Sequence, residues 1–541
     1  MKKTKIMSAI MALSIVTAES TGAVPNNGLK ANNAQLTAHA YNGNVLGEWL
    51  QSESSVTKLN SYLESSYLKS IIGKINDLIR RMLKNDPQEK FADGYDNWSF
   101  SNSRENFGDT YYMSDEYWDK LMDGLNNTEK ERIIQGVKNS QWGGSCYGMA
   151  ATSVLASRGV INPSNWQSNA ASLHDIAGPP SDDVKSLINY YFSLQFTDYS
   201  TQKMALAVYE IEPLKLFKII KCLEDGSPAM LCFFGQFYGL FMAGHAVVAY
   251  DIEYGTYVKN GKNYNGKVLV YDNNSVDYDE EYCLYFSTTD GSWAIPGYEL
   301  SSDQGDYLGL ITDDIDVINN HGYVDGSEES SFLKYIATLQ SSPLKGRYKI
   351  SKESDKNVYY SNSSSSDDEI KMIPSMTDFG FMNSSIKFAL NDSAASYVLD
   401  LQNPEQLDLS MSYENSLLNA NASSGSKAKF SPSGSVSVSG ENTDYDLKIV
   451  LNDGYKVTDW YSFSVKGSGV NDATLQKKEN GYILEASNLK DVTAYAYNDD
   501  VKADVTFSTD YSKVYLFEKD ENTIGVAVDT DNNGTFETEI G

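Results

Sequence analysis

The residue in this chain best suited to covalent chemistry is Cys146. It stands in Gln141-Trp142-Gly143-Gly144-Ser145-Cys146-Tyr147-Gly148-Met149-Ala150, and the small-residue run from Ala151 to Ala156 predicts a helix that starts at the thiol. A thiol attacks as its thiolate, and a helix N-terminus favours that anion through its dipole and its open amides. Ser145 is the expected N-cap and Gly159 the expected C-cap after Arg158. Gly143 and Gly144 let a substrate chain approach the backbone. The amide of Cys146 can face a developing oxyanion, and Gln141 can supply a second donor.

Such a thiol needs an acid/base partner, and the chain has four histidines, His39, His174, His245 and His321. His39 falls in an Asn- and Ala-rich leader, His321 in a polar turn, and His174 in Ser172-Leu173-His174-Asp175, where no strand holds it. His245 opens the apolar strand pattern Ala246 to Tyr250, with small neighbours on both sides. A second strand pattern, Lys267 to Tyr271, follows turn-rich sequence containing Asn260-Gly261. An antiparallel hairpin returns the end of the second strand to the start of the first, which brings Asp272 or Asn273 back to His245. Nucleophile, base and a group that orients the base are then complete.

These residues resemble the papain-like cysteine peptidases, whose nucleophile motif is C-G-[SA]-C-[WY] with His and Asn downstream in that order. The likeness covers roughly residues 96–315 and rests on Gly144-Ser145-Cys146-Tyr147 with Gln141 upstream, on Gly244-His245, and on the strand ending in Asp272-Asn273. It is closer to the bacterial secreted branches. Gly143 stands where the motif has its first cysteine, so that neighbouring disulfide is missing. The resemblance implies Cys146 as nucleophile, His245 as general base and acid, Gln141 as oxyanion donor, and Asp272 as the orienting group with Asn273 as the alternative. It implies a secreted cysteine endopeptidase acting on a protein or peptide substrate without a cofactor. Two other readings stand beside it: a Cys-His amidase or transferase acting on the cell wall, and a non-catalytic surface-binding protein with an inert papain-like core.

The elements around the site read as an α+β arrangement. Helical pattern covers Ser114 to Val137, the segment from Cys146, and Ser181 to Tyr191. Strand pattern covers Ala229 to Phe234, Ala246 to Ile252, Lys267 to Tyr271 and Glu281 to Phe286. Before this lies an amphipathic helical pattern from Leu46 to Leu83, with Asp86-Pro87 as its stop. Beyond it, Ser361 to Ser366 and Asn421 to Ser439 are Ser/Gly-rich, the signature of loops or linkers. The last hundred or so residues alternate with period two, as in Tyr482-Ile-Leu-Glu-Ala486 and Val514-Tyr-Leu-Phe517, the pattern of a β-sandwich.

The expected organisation is a signal peptide at 1–23, a leader and helical segment at 24–95 that could serve as a prosegment, an α+β papain-like catalytic domain at 96–315, a linker and β-rich region at 316–430, and an all-β sandwich-like module at 431–541. Lys2, Lys3 and Lys5 before the apolar run Ile6 to Val16 make the charged and hydrophobic parts of that signal peptide. The formal net charge of −29 disfavours nucleic acid as a partner. No later stretch is apolar and long enough to insert in a membrane. The expected location is outside the cell, free or held at its surface, with the β module free to bind a cell-surface or extracellular ligand. The four cysteines, 146, 222, 232 and 283, are too few for a disulfide scaffold, and Cys232 in an apolar run reads as an inert core thiol. Asp529, Asp531 and Asn533 have the alternate spacing with which a Ca²⁺ loop begins. Ile540 replaces the final Glu of such a loop, and a tight turn between strands is the favoured reading.

Overall fold

The structure is a computed structural model that describes residues 91–540 apart from internal stretches, the longest being 198–211 and 319–334. The leader, the amphipathic segment Leu46 to Leu83, His39 and His321 lie outside the described residues. The protein is mixed helix and sheet, mostly sheet, and the sheets are large and antiparallel. Among the described residues no helix is long and apolar enough to cross a membrane.

The first region opens with helices α1 (Asp115–Met122), α2 (Asn127–Ile133), α3 (Cys146–Ser157), α4 (Asp182–Ser193) and α5 (Glu212–Glu224). The helical pattern from Ser114 to Val137 is thus two helices parted at Asp123-Gly124, the second running into a π-turn at Ile134–Lys138. Seven strands follow: β1 (Ala229–Phe237), β2 (Phe241–Lys259), β3 (Lys262–Tyr271), β4 (Leu284–Phe286), β5 (Trp293–Ile295), β6 (Leu300–Ser301) and β7 (Tyr307–Thr312), in the spatial order β6-β5-β4-β3-β2-β1-β7.

Successive strand side chains point to opposite faces. Met230, Cys232, Ala246 and Val248 therefore join α3 and α4 in one core, while Leu231, Phe233, Val247 and Ala249 join α5 in another. A Cβ on Gly148 would lie 2.0 Å from the Ile188 carbonyl oxygen, so only glycine lets α3 and α4 approach this closely. The β2–β3 hairpin turns at Asn260 and Gly261, both with positive φ (51° and 77°), as a primed turn requires.

The second region holds β8 (Tyr335–Leu339), β9 (Arg347–Lys352), β10 (Val358–Ser361), β11 (Ser364–Ser365), β12 (Ile370–Ile373), β13 (Ile386–Leu390), β14 (Tyr397–Gln402), β15 (Leu407–Tyr413), β16 (Ser416–Ala422), β17 (Lys427–Ser431), β18 (Ser435–Leu451), β19 (Ser462–Lys478), β20 (Gly481–Ala486), β21 (Leu489–Tyr497), β22 (Lys502–Thr509), β23 (Lys513–Asp520), β24 (Thr523–Val528) and β25 (Thr538–Glu539). β18 and β19 organise it. Their pairing shifts register between Ser439 and Tyr445, and the halves on either side take different neighbours within one closed barrel, where the alternating pattern predicts a sandwich: long strands that change partners at a shift in register close the sheet on itself. β16 pairs with the second half of β18 and β21 with the first half of β19, while β17 and β20 pair with the remaining halves. Phe463 and Tyr482 stack, ring centroids 4.1 Å apart, inside one core that also takes Met411, Phe430, Leu447 and Val526.

The Ser/Gly-rich stretch Asn421 to Ser439 is a correction to the loop reading. Much of it is strand, because Ala428, Phe430, Val436 and Val438 point into the core while the serines alternate outward. β17 and β18 pair from Lys427↔Ser439 to Ser431↔Ser435, so strands on both sides of position 430 share one core.

The two regions meet at α2. Asn126 and Glu129 close its N-terminus as a capping box. Asn127 Nδ2 donates to the Leu451 carbonyl (3.2 Å), Thr128 Oγ1 to Asn452 Oδ1 (2.6 Å) and the Arg132 guanidinium to Ser412 Oγ (2.5 Å). Glu131 sits between Lys448 (2.5 Å) and the Tyr497 hydroxyl, which donates to its other oxygen (2.9 Å).

Candidate active site

Cys146 is the first residue of α3 and is fully buried. The turn before it needs Gly144, whose φ of 117° is a conformation that side-chain-bearing residues rarely adopt. Side chains from distant segments then hold the turn. The Tyr111 hydroxyl donates to the Gly144 carbonyl (2.9 Å) and accepts from the Gly143 amide (3.1 Å). Asn102 Oδ1 accepts from the Ser145 amide (2.7 Å). Ser145 occupies the N-cap position without capping: its hydroxyl donates to Asn189 Oδ1 (2.7 Å) and accepts from the Trp142 indole (2.9 Å). Its work is to tie the turn before Cys146 to α4.

His245, on β2, is also fully buried and pairs across the strands with Phe233, whose ring meets the imidazole edge-on at 5.4 Å. On its other side β3 ends at Tyr271, opposite Val248, and the chain runs on past the strand end toward His245. Asp272 Oδ1 lies 2.8 Å from His245 Nε2, and its other oxygen accepts from the Tyr298 hydroxyl (2.5 Å). Asn273 takes a different part: its amide donates to the carbonyls of Cys146 (3.1 Å) and Ala246 (2.8 Å), pinning the start of α3 to β2. Asp272, rather than Asn273, is the residue in contact with the imidazole.

Burial works against a charged imidazole. The Asp272 carboxylate and its hydrogen bond, with Cys146 as a further hydrogen-bonding neighbour, outweigh it and push the proton affinity of His245 up. Burial would likewise raise Asp272, but His245, the Tyr298 hydroxyl and the Asn274 amide together hold its carboxyl below the ordinary value. With Nε2 engaged by the carboxylate, Nδ1 is the nitrogen able to exchange a proton with Cys146. Serine-type triads use the ring the other way round.

Gln141 is exposed, with its backbone bridged to Thr110. His174 lies in a short 3₁₀ turn, Leu173–Asp175, where its backbone amide bonds to Tyr95. Cys222, Cys232 and Cys283 are buried and form no disulfide among the described residues, and burial pushes the Cys232 thiol up to about 12. Asn102 and Tyr298 carry no motif in the sequence, and Asn102 meets Asn274 from 172 residues away.

At the far end of the chain, oxygens of Asp529, Asp531 and Glu537 come within 4.8 Å of one another. The amides of Asn533 (3.1 Å) and Gly534 (2.8 Å) bond to Asp529, which makes this stretch a tight turn. Asn533 donates to Asp531 rather than joining the carboxylates as a ligand.

Comparison of the chain with protein families, with characterised proteins and with solved structures found no match.

Proposed function

We propose that this protein is a papain-like cysteine peptidase whose α+β core, residues 96–315, carries the reaction. The observation behind this reading is the pairing of a helix-N-terminal thiol with a buried imidazole whose far nitrogen is held by a carboxylate at 2.8 Å. His245 Nδ1 takes the thiol proton, and the sulfur of Cys146 attacks the carbonyl carbon of a peptide bond. The electron pair moves onto the carbonyl oxygen, near the open amides at the start of α3. As the tetrahedral intermediate collapses, the C–N bond breaks and the imidazolium gives its proton to the leaving amine. His245 then deprotonates a water that attacks the thioester, which frees the acyl product and restores the thiol. Gln141, five residues before the thiol, is the proposed second oxyanion donor.

The charged and apolar run at Lys2 to Val16 supports export, and the β region supports attachment to an extracellular ligand. Burial of both Cys146 and His245 also suits the rival reading, a surface-binding protein with an inert core. Treating wild type and Cys146→Ala with a peptide electrophile that reacts with thiols decides between them. Labelling and peptide hydrolysis that vanish together in Cys146→Ala support the peptidase; equal labelling of the two proteins overturns it. Release of products from peptidoglycan, and none from a peptide library, would transfer the same pair to amidase chemistry.

A further inference from the structure

We propose that Tyr298 is a positioning residue that acts on His245 through Asp272 and ties this pair to the turn carrying Cys146; the proposal rests on the peptidase reading of that site. Tyr298 comes from a 3₁₀ turn, Pro296–Tyr298, between β5 and β6, near the far edge of the sheet from β2. Its hydroxyl donates to Asp272 Oδ2 (2.5 Å), while Oδ1 accepts from the Asn274 amide (2.9 Å) and meets His245 Nε2 (2.8 Å). A carboxylate anchored through both oxygens cannot rotate without breaking a bond, so its aim at the imidazole is fixed.

The hydroxyl is itself oriented. Asn274 Nδ2 donates to it (3.3 Å), which leaves its own hydrogen for Asp272. Asn274 Oδ1 accepts from Asn102 Nδ2 (3.0 Å), and Asn102 Oδ1 accepts from the Ser145 amide (2.7 Å). The chain of contacts therefore runs from Tyr298 through Asn274 and Asn102 to the residue before the nucleophile. The Tyr298 ring also packs against the catalytic base, with centroids 5.6 Å from His245, 5.1 Å from Phe233 and 4.9 Å from Tyr282. The titratable groups set against His245 are Cys146 from α3, Asp272 from the end of β3 and Tyr298 from this turn.

Removing the hydroxyl weakens the ionised form of Asp272, which in turn supports the imidazolium less, so less thiolate forms at neutral and mildly acid pH. Above the range where a thiol ionises unaided, nothing changes. The test is the rate of Cys146 alkylation by iodoacetamide in the full-length protein, followed from acid to alkaline pH. Tyr298→Phe, which keeps the ring, is expected to slow alkylation about tenfold at neutral pH, the size of one hydrogen bond to a charged group, with an unchanged alkaline rate. Asp272→Asn should lower the same limb, and Tyr298→Phe should add nothing on that background.

A Tyr298→Phe profile that overlays the parent, an equal loss at all pH values, or a full additional loss beside Asp272→Asn overturns the positioning role. His245→Ala separates the two levels of inference. It should erase the neutral and acid limb whether or not Tyr298 matters, and a His245→Ala profile identical to the parent overturns the underlying peptidase reading instead.

Discussion

Asp272 in the first region and Glu131 at its border with the β region are built alike: each carboxylate gives one oxygen to a cationic side chain and the other to a tyrosine hydroxyl. Asp272 holds His245 and Tyr298; Glu131 holds Lys448 and Tyr497. The difference lies in the cation. Burial works against the charge on Lys448, but Glu131 and Tyr497 raise its proton affinity further, so its proton stays in place across the ordinary pH range. Imidazole ordinarily titrates near neutrality, and with Cys146 beside it the proton has somewhere to go. On the proposed peptidase reading, one arrangement serves adhesion where the cation is fixed and chemistry where a thiol stands beside it.

The largest expected effect that separates the two is on activity. Asp272→Ala removes the group that holds the imidazole and leaves a fully buried base without its carboxylate. The expected fall in kcat/KM is on the order of a hundredfold or more, while Glu131→Ala leaves kcat/KM within about twofold at temperatures where it is folded. Steady-state kinetics on one peptide substrate with both variants checks this. Equal losses in the two would mean that both clamps are structural.

The second effect reverses the order. Glu131→Ala strands the Lys448 ammonium, whose side chain is only 19 % exposed, beside an unpaired Tyr497 hydroxyl. The expected loss is about 2 to 3 kcal/mol, less than for a fully buried pair because water still reaches the lysine. Differential scanning calorimetry should show the melt of the variant separating into two steps as the first region and the β region uncouple. A single transition at the parent temperature would show that α2 is held by its other contacts, such as Asn127 on Leu451 and Thr128 on Asn452.

Much of this was legible along the chain wherever a pattern is local. The helix starting at Cys146 follows from its small residues, and the hairpin returning Asp272 to His245 follows from Asn260-Gly261 between two apolar runs. The inner residues of β20 and β23 alternate in plain view. Both carboxylate clamps were hidden for a common reason: Tyr298 and Tyr497 are ordinary tyrosines whose partners are fixed by tertiary folding, and Glu131 meets Lys448 and Tyr497 across 317 and 366 residues. β17 and the first half of β18 were hidden by composition, since the inward positions of this serine-rich hairpin are only Ala428, Phe430, Val436 and Val438. The single helical pattern before Val137 was broken at Asp123-Gly124, where periodicity continues across a turn.

A third carboxylate shows what happens when the cation is replaced by a like charge. Asp408 lies in the row Asp408↔Asn421↔Asp446 across β15, β16 and β18. Burial first, and then the charge of Asp446, push its carboxyl from 3.8 up to about 6. A raised carboxyl means that the folded protein holds its proton longer than the unfolded chain, so this group's contribution to stability falls as pH rises from 3.8 to about 6 and stays low above that. Asp272 has the opposite sign: its lowered carboxyl contributes stability above the ordinary value and loses it as pH falls. Asp408→Asn should therefore stabilise the protein by about 1 kcal/mol at neutral pH and by almost nothing near pH 4. Melting temperatures of the variant and the parent, taken at intervals between those pH values, should diverge steadily as pH rises. A constant offset, or a gain confined to acid pH, would mean that Asp446 and burial do not set the proton affinity of this row.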